Sequence, residues 1–284
     1  MDRLSENRIR NVIAVCIVLA LLVAMSIATY ARLRPSPRVI VDRGDNKSFN
    51  LSFADGFDET DWYVADFTFP STFFRTGWVE ENVRYHAPSI SLEINRKPVD
   101  HQPFSGAEVQ KTGFYGFGHY EVVMQAASGS GVVSSFFTHT DSTFGDPHDE
   151  IDIEFLGNDT HRLHANIFAN GETEGSIYID LPFDASDAPH LYAFDWQPDS
   201  VSWFVDEKLV KTVTSAERQI PQTRGRIIMN IWTGSKAQYG WHGPPEFEDE
   251  TRATIYCVSF RALGDAGSQC SDKGVHWSVN GGSL

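Results

Sequence analysis

From Asp149 to Phe155, acidic and apolar residues alternate: Asp149-Glu150-Ile151-Asp152-Ile153-Glu154-Phe155. Successive side chains of a strand point to opposite faces. This period of two therefore predicts a strand with Glu150, Asp152 and Glu154 on one side and Ile151, Ile153 and Phe155 on the other. A helix turns about 100° per residue and would carry Asp152 away from the side shared by the two glutamates, and β-branched isoleucines also favour strand. Shorter apolar-aromatic runs separated by turn signals predict strands over 62–69, 73–78, 89–94, 120–125 and 132–138. Others follow over 163–168, 176–181, 190–196, 201–205, 227–232 and 254–260. Glycine clusters at 113–118 and 129–131 and the pair Asn170-Gly171 supply turns between them. With no long amphipathic helix among them, these strands predict an all-β, two-sheet antiparallel sandwich.

The N-terminal region has a different pattern. Residues 12–30 are apolar apart from Ser26 and Thr29, and they follow Arg8 and Arg10. A run of about 19 residues can span the hydrocarbon core. It is longer than the core of a signal peptide, roughly 7 to 15 residues, so a transmembrane signal anchor is expected. The small-residue sites Ser26-Ile27-Ala28 and Thr29-Tyr30-Ala31 keep a cleaved signal peptide as the alternative. The chain thus divides into a flank (1–11), the membrane segment (12–30), a linker with Pro35 and Pro37 (31–48), a folded domain (49–262) and a tail (263–284). Hydrophobic residues make up 41% of 284, enough for one sandwich with a real core. A net charge of −15 argues against nucleic acid as a partner, because such a surface repels phosphate, and is compatible with a neutral polymer. Of three cysteines, Cys16 lies in the apolar run, leaving Cys257 and Cys270 as a disulfide or as two buried thiols.

Three carboxylates side by side repel one another, so stability alone gives little reason to place them there. Three readings compete. On an edge strand, such charges would guard against unwanted pairing. A calcium or magnesium ion would want oxygen ligands around it, whereas a straight strand offers them from one side. Glycoside hydrolysis fits the spacing best. The Cα atoms of Glu150 and Glu154 would lie about 13 Å apart. Side chains leaning together bring the carboxyls to about 5–6 Å, the separation of retaining rather than inverting enzymes. Asp152 between them can share a proton with the nucleophile. Aromatic rings provide the other half of sugar binding, and Trp241, between Gly240 and His242-Gly243, is the ring expected on a cleft, whereas Trp196 and Trp203 are expected in the core. The chain contains no G-x-S-x-G elbow and no H-E-x-x-H helix.

The stretch 149–157, Asp-Glu-Ile-Asp-Ile-Glu-Phe-Leu-Gly, resembles the signature of glycoside hydrolase family 16, and the similarity runs over about 53–260. Also similar are 106–110, 115–122, 131–138, 183–186, 192–196 and 229–232. The nearest look is to bacterial β-1,3-1,4-glucanases (lichenases) and to enzymes that cut bacterial exopolysaccharides. The resemblance implies a β-jelly-roll (concanavalin A-like) sandwich with an open cleft and an endo-acting, retaining mechanism. By motif position Glu150 is the nucleophile, Asp152 its helper and Glu154 the general acid/base. With those roles, anionic Glu150 and Asp152 are expected to raise the pKa of Glu154, as like charges do.

Glu108, Asn166, Asn230 and Trp232 match positions that line the cleft in lichenases, and Phe168 stands where those enzymes have tyrosine. Gln110 replaces an arginine. His148 replaces the tryptophan of typical lichenases and matches plant xyloglucan-active and exopolysaccharide-active members. Together with Trp241 these form the expected substrate-binding set. Gly175-Ser176 replaces a His-Glu pair, and Thr76 and Gly106 lie near the positions of the Bacillus-type disulfide. Tyr256 falls where many members have an aspartate that helps hold calcium; no cofactor is expected, and a structural calcium is the one the family offers. The expected function is endo-hydrolysis of β-glucan-type linkages in β-1,3-1,4-glucan or a bacterial exopolysaccharide, outside the cytoplasm, anchored or secreted. Its alternatives are a transglycosylase on the same polymers and a non-catalytic lectin-like sandwich. The expected partners are the polysaccharide and the membrane.

Overall fold

The structure, a computed structural model, describes Gly44 and residues 46–273. The apolar run 12–30 lies outside the described residues, as do most of the linker and the end of the tail. Among the described residues no helix is long and apolar enough to cross a membrane.

Sixteen strands run through these residues. Eight precede the acidic strand: β1 (Phe49–Ser52), β2 (Trp62–Val64), β3 (Thr76–Trp78), β4 (Val83–His86), β5 (Ser89–Asn95), β6 (Phe104–Lys111), β7 (Gly118–Gln125) and β8 (Val133–Thr140). The acidic strand itself is β9 (Asp149–Leu156). It is followed by β10 (Asp159–Phe168), β11 (Ile177–Asp180), β12 (His190–Gln197), β13 (Ser200–Val205), β14 (Lys208–Thr214), β15 (Arg226–Trp232) and β16 (Glu250–Ala262). A four-residue helix, α1 (Tyr239–His242), sits between the last two.

The strands form the expected all-β jelly-roll sandwich. One sheet runs β11-β10-β9-β8-β15-β6, with β2 on β6; the other runs β5-β16-β7-β12-β13-β14, with β1 on β16 and β4 on β5. Strand β6 passes from one to the other, meeting β5 at the Asn95–Ser105 pair and β3 in the one parallel pairing described. Between the sheets the inward faces interdigitate. Ile151, Ile153 and Phe155 of β9 are fully buried there, Phe155 packs on Tyr192 with ring centroids 4.7 Å apart, and Phe136 meets Phe194 at 5.9 Å. Burying each such side chain is worth roughly 1.5 to 3 kcal/mol. The indole N–H of Trp203 crosses the core to donate to the Asp152 carbonyl at 3.1 Å, tying β13 to the middle of β9.

Several local expectations change. Strand β6 was not foreseen, because Ser105-Gly106-Ala107 lacks the β-branched residues that mark a strand; the glycine is needed because a Cβ there would stand 2.3 Å from the Ile231 carbonyl oxygen. Strands β1, β4 and β14 are likewise additions to the expected set, and β4 and β14 are largely exposed. The stretches 62–69 and 73–78 form only short strands at their outer ends, with Phe67 and Phe74 making single bridges to Trp78 and Gly234. Trp241 lies on α1, a single helical turn, rather than in an open glycine loop.

The start of the tail packs back on the outer face of the second sheet. Glu121 accepts from the Ser271 backbone N–H at 3.0 Å and from its hydroxyl at 2.7 Å, and Gln269 is buried. Cys257 and Cys270 are disulfide-bonded, 13 residues apart in sequence, and buried with Val123 and Leu191. Closing a loop of this length contributes roughly 3 kcal/mol by limiting the unfolded chain. Cys270→Ser is therefore expected to lose about that much stability in chemical denaturation. Thiol titration of the denatured, unreduced chain is expected to find no more than the one thiol of Cys16; three would show the pair unbonded.

Candidate active site

Register turns the outward face of the first sheet into rows. Glu150 stands between Phe168 of β10 and His139 of β8, with Arg226 of β15 next in line. Asp152 stands between Asn166 and Phe137, followed by Ile228 and Gln110. Glu154 stands between His164 and Ser135, followed by Asn230 and Glu108. All of these side chains but Arg226 and His164 line a cleft of about 690 Å³, walled at one end by Phe67, Phe69, Phe73, Phe74, Trp78 and Trp232.

The N-terminal end of β9 is held by Asp149, whose carboxylate is buried on the other face. One oxygen accepts from the Asn170 backbone N–H at 2.8 Å, and the other from the N–H groups of Gln222 and Thr223, each at 2.9 Å. Asn170 and Gly171 both have positive φ, 53° and 84°, the geometry that the Asn-Gly turn signals. Gly171 N–H also donates to the His148 carbonyl at 2.8 Å, so turn and strand end are locked together.

The three carboxyls have different surroundings. For Glu150, burial favours the neutral form, but hydrogen bonds from His139 and His148 and the charge of His139 outweigh it, holding the carboxyl down at about 2. His139 Nδ1 lies 2.6 Å and His148 Nε2 3.0 Å from the same oxygen, Oε2. Glu154 is pushed up to about 8, by burial first and the Glu150 charge second, against a hydroxyl contact from Ser135 that lowers it. Asp152 is raised well above the carboxylate range by burial, then by Glu150 and Glu154, so it carries the proton it shares with Glu150. This revises the expectation for Glu154: burial leads, and the protonated Asp152 adds no charge of its own.

Of the expected site residues, all but His148 line this cleft. Glu108 is buried and raised by burial, accepting from Gln110 Nε2 at 2.8 Å and Asn230 Nδ2 at 3.1 Å. Gln110 in turn accepts from Arg226 at 2.7 Å. Thr173 donates to Asn166 at 2.7 Å. Trp232 and Trp241 lie with centroids 6.0 Å apart, and the Trp241 indole donates to His164 Nδ1 at 3.3 Å. His164 is held near 4, by burial and then by the charge of Arg162, and so presents a neutral ring beside Glu154. His148, expected against substrate, spends its Nε2 on Glu150 and stacks on Phe168 at 4.7 Å.

Sequence reasoning missed His139 and the phenylalanine wall. His139 lies one residue past the expected end of its strand; continuing the parity of Ser135 and Phe137 would have reached it. Four phenylalanines within eight positions around Pro70 were the signal for the wall, where Phe73 remains half exposed and Phe69 stacks on Trp78 at 5.7 Å.

Residues 71–248 match the family described as Glycosyl hydrolases family 16. A β-glucanase of Bacillus subtilis (strain 168) is 42% identical over 180 residues, 63% of this chain and 73% of that protein. The solved structure of a prokaryotic β-1,3-1,4-glucanase (lichenase) from a mouse hindgut metagenome superposes with a TM-score of 0.71 at 35% identity, covering 75% of this chain and 98% of that one. The Bacillus licheniformis β-glucanase does so at 0.70 and 37%, covering 75% and 97%.

Because Asp149 satisfies three backbone donors at once, Asp149→Ala is expected to cost roughly 3 kcal/mol or more, each orphaned buried N–H costing about 1 to 3. A urea midpoint equal to that of the unsubstituted chain would show that these bonds carry no net stability.

Proposed function

Since the chain belongs to the glycosyl hydrolases of family 16, and is a glycoside hydrolase of the β-1,3-1,4-glucanase kind, we propose a retaining double displacement with Glu150 as nucleophile. The observation that carries this reading is the split between two glutamates on one strand face: Glu150 held anionic by two histidines, Glu154 held protonated by burial. In the first step Glu154 gives its proton to the glycosidic oxygen as a Glu150 oxygen attacks the anomeric carbon. The C–O bond breaks and a glycosyl ester forms. Esterification removes the Glu150 charge, one cause of the raised Glu154 pKa, so Glu154 becomes the base that takes a proton from water. Water then attacks the anomeric carbon, the ester breaks, and both residues return to their starting states.

Asp152, sharing its proton with Glu150, orients the nucleophile. The aromatic wall offers flat apolar faces for pyranose rings, and Glu108, Asn166 and Asn230 offer polar contacts to hydroxyls. Gly175-Ser176 and Gln110 depart from the lichenase pattern, and His148 accords with members that cut other polymers. We therefore include a bacterial exopolysaccharide beside β-1,3-1,4-glucan as substrate. The 12–30 run would anchor the enzyme with its domain outside the cytoplasm. Recovery of a soluble species starting near Ala28 or Ala31 would show cleavage instead.

Two measurements test the mechanism. Glu154 must carry its proton for the first step, so kcat/KM is expected to fall about tenfold per pH unit above about 8 and to hold below it as long as Glu150 stays ionised. An alkaline limb near the ordinary glutamate value would remove Glu154 as the acid. With an activated leaving group, azide is expected to rescue Glu154→Ala by forming a β-azide and Glu150→Ala by forming an α-azide. The opposite pairing in NMR spectra would exchange the two roles, and an inverted first product from the unsubstituted enzyme would end the retaining mechanism.

A further inference from the structure

His139 Nδ1, His148 Nε2 and a Glu150 carboxylate oxygen all lie within 4.8 Å of one another, the one such group of three among the described residues. We propose that these side chains form an inhibitory site for Zn2+, which silences the enzyme by occupying the carboxylate that attacks the sugar. The metal site stands on the three side chains alone, whereas its effect on turnover rests on the assignment of Glu150 as nucleophile.

Two imidazoles and one carboxylate are a donor set suited to zinc, and one that leaves a fourth position for water or a sugar hydroxyl. Zinc bonds of about 2.0 to 2.1 Å put tetrahedral ligand atoms roughly 3.3 Å apart. Glu150 Oε2, now 2.6 Å and 3.0 Å from the two nitrogens, needs to draw back by roughly 0.7 Å and 0.3 Å, and the two nitrogens, within 4.8 Å of each other, need to close by up to about 1.5 Å through rotation of the imidazoles. The ion takes the place of the protons those nitrogens present to the carboxylate.

The surroundings are those of a built site. Behind His139, its other nitrogen, Nε2, lies 3.7 Å from Asp141 Oδ2, and the second oxygen of Asp141 accepts from Thr143 N–H at 2.8 Å. At 3.7 Å the carboxylate acts on the imidazole by charge; drawn in to hydrogen-bonding range when a metal binds, it would fix which nitrogen faces the ion. His148 is held by its stack on Phe168. The side chains of His139, His148 and Glu150 are 24%, 33% and 17% exposed, so all three are open to an ion from solvent, and His139 and Glu150 also line the cleft.

Calorimetric titration of the full chain with Zn2+ tests this directly. One ion per chain is expected, with affinity falling at least about tenfold in His148→Gln and in His139→Gln, and about 10- to 100-fold in Asp141→Asn. His148 and Asp141 are about a third exposed, so these variants are expected to fold, and unchanged circular dichroism would confirm it. Glucan hydrolysis should fall in step with occupancy, return on addition of EDTA and ignore Mg2+. No binding, or equal binding in both histidine variants, would overturn the site. Binding through these residues with undiminished hydrolysis would overturn the inhibition. If the metal-free enzyme cleaved no glucan, the functional reading would fail, and calorimetry would still decide the site.

Discussion

A strand that presents three carboxyl groups on one face at two-residue spacing cannot keep all three charged in a half-buried cleft. Each charge raises the cost of the next, and desolvation penalises them all. The sheet resolves this by giving each a different neighbour. Glu150 faces two histidines and stays ionised; Asp152 has no cation to oppose its burial and keeps a proton; Glu154 stands between a neutral His164 and a serine and is pushed up to about 8. The distribution of protons thus follows from which residues the register sets across from β9.

That register is itself held from the other side. A slip of one residue would turn the carboxylates into the core and the isoleucines into the cleft. Ile151, Ile153 and Phe155 resist it by their burial between the sheets, with Phe155 against Tyr192, and Trp203 adds a hydrogen bond to the Asp152 carbonyl. Asp149 adds a second constraint, since its contacts to Asn170, Gln222 and Thr223 lock the strand's start to two separate loops. Stability and chemistry are therefore coupled through one strand, with apolar side chains setting the position that the polar ones exploit.

The cleft is chemically uneven along its length. At one end Phe67, Phe69, Phe73, Phe74 and Trp78 offer ring faces, and the phenylalanines have no hydrogen-bonding handle; elsewhere Glu108, Gln110 and Asn230 form a connected set of donors and acceptors backed by Arg226, and Asn166 pairs separately with Thr173. A sugar chain lying along it would meet stacking surface first and directional contacts near the carboxylates.

Much of this was legible in the chain. The period-two pattern identified β9 and the side on which its acids lie, because strand geometry is local and alternation has no other regular explanation. Family resemblance located the cleft residues, and turn chemistry located the Asn170-Gly171 turn. What the sequence could not show was His139 opposite Glu150, a phenylalanine wall folded beside a tryptophan some 160 positions away, the strand β6 that carries Glu108, and the charge state of each carboxyl. Pairing between β8 and β9 is a non-local choice. Desolvation, which ranks first among the influences on all three acids of the triplet, exists only once both sheets and the surrounding loops have closed around them.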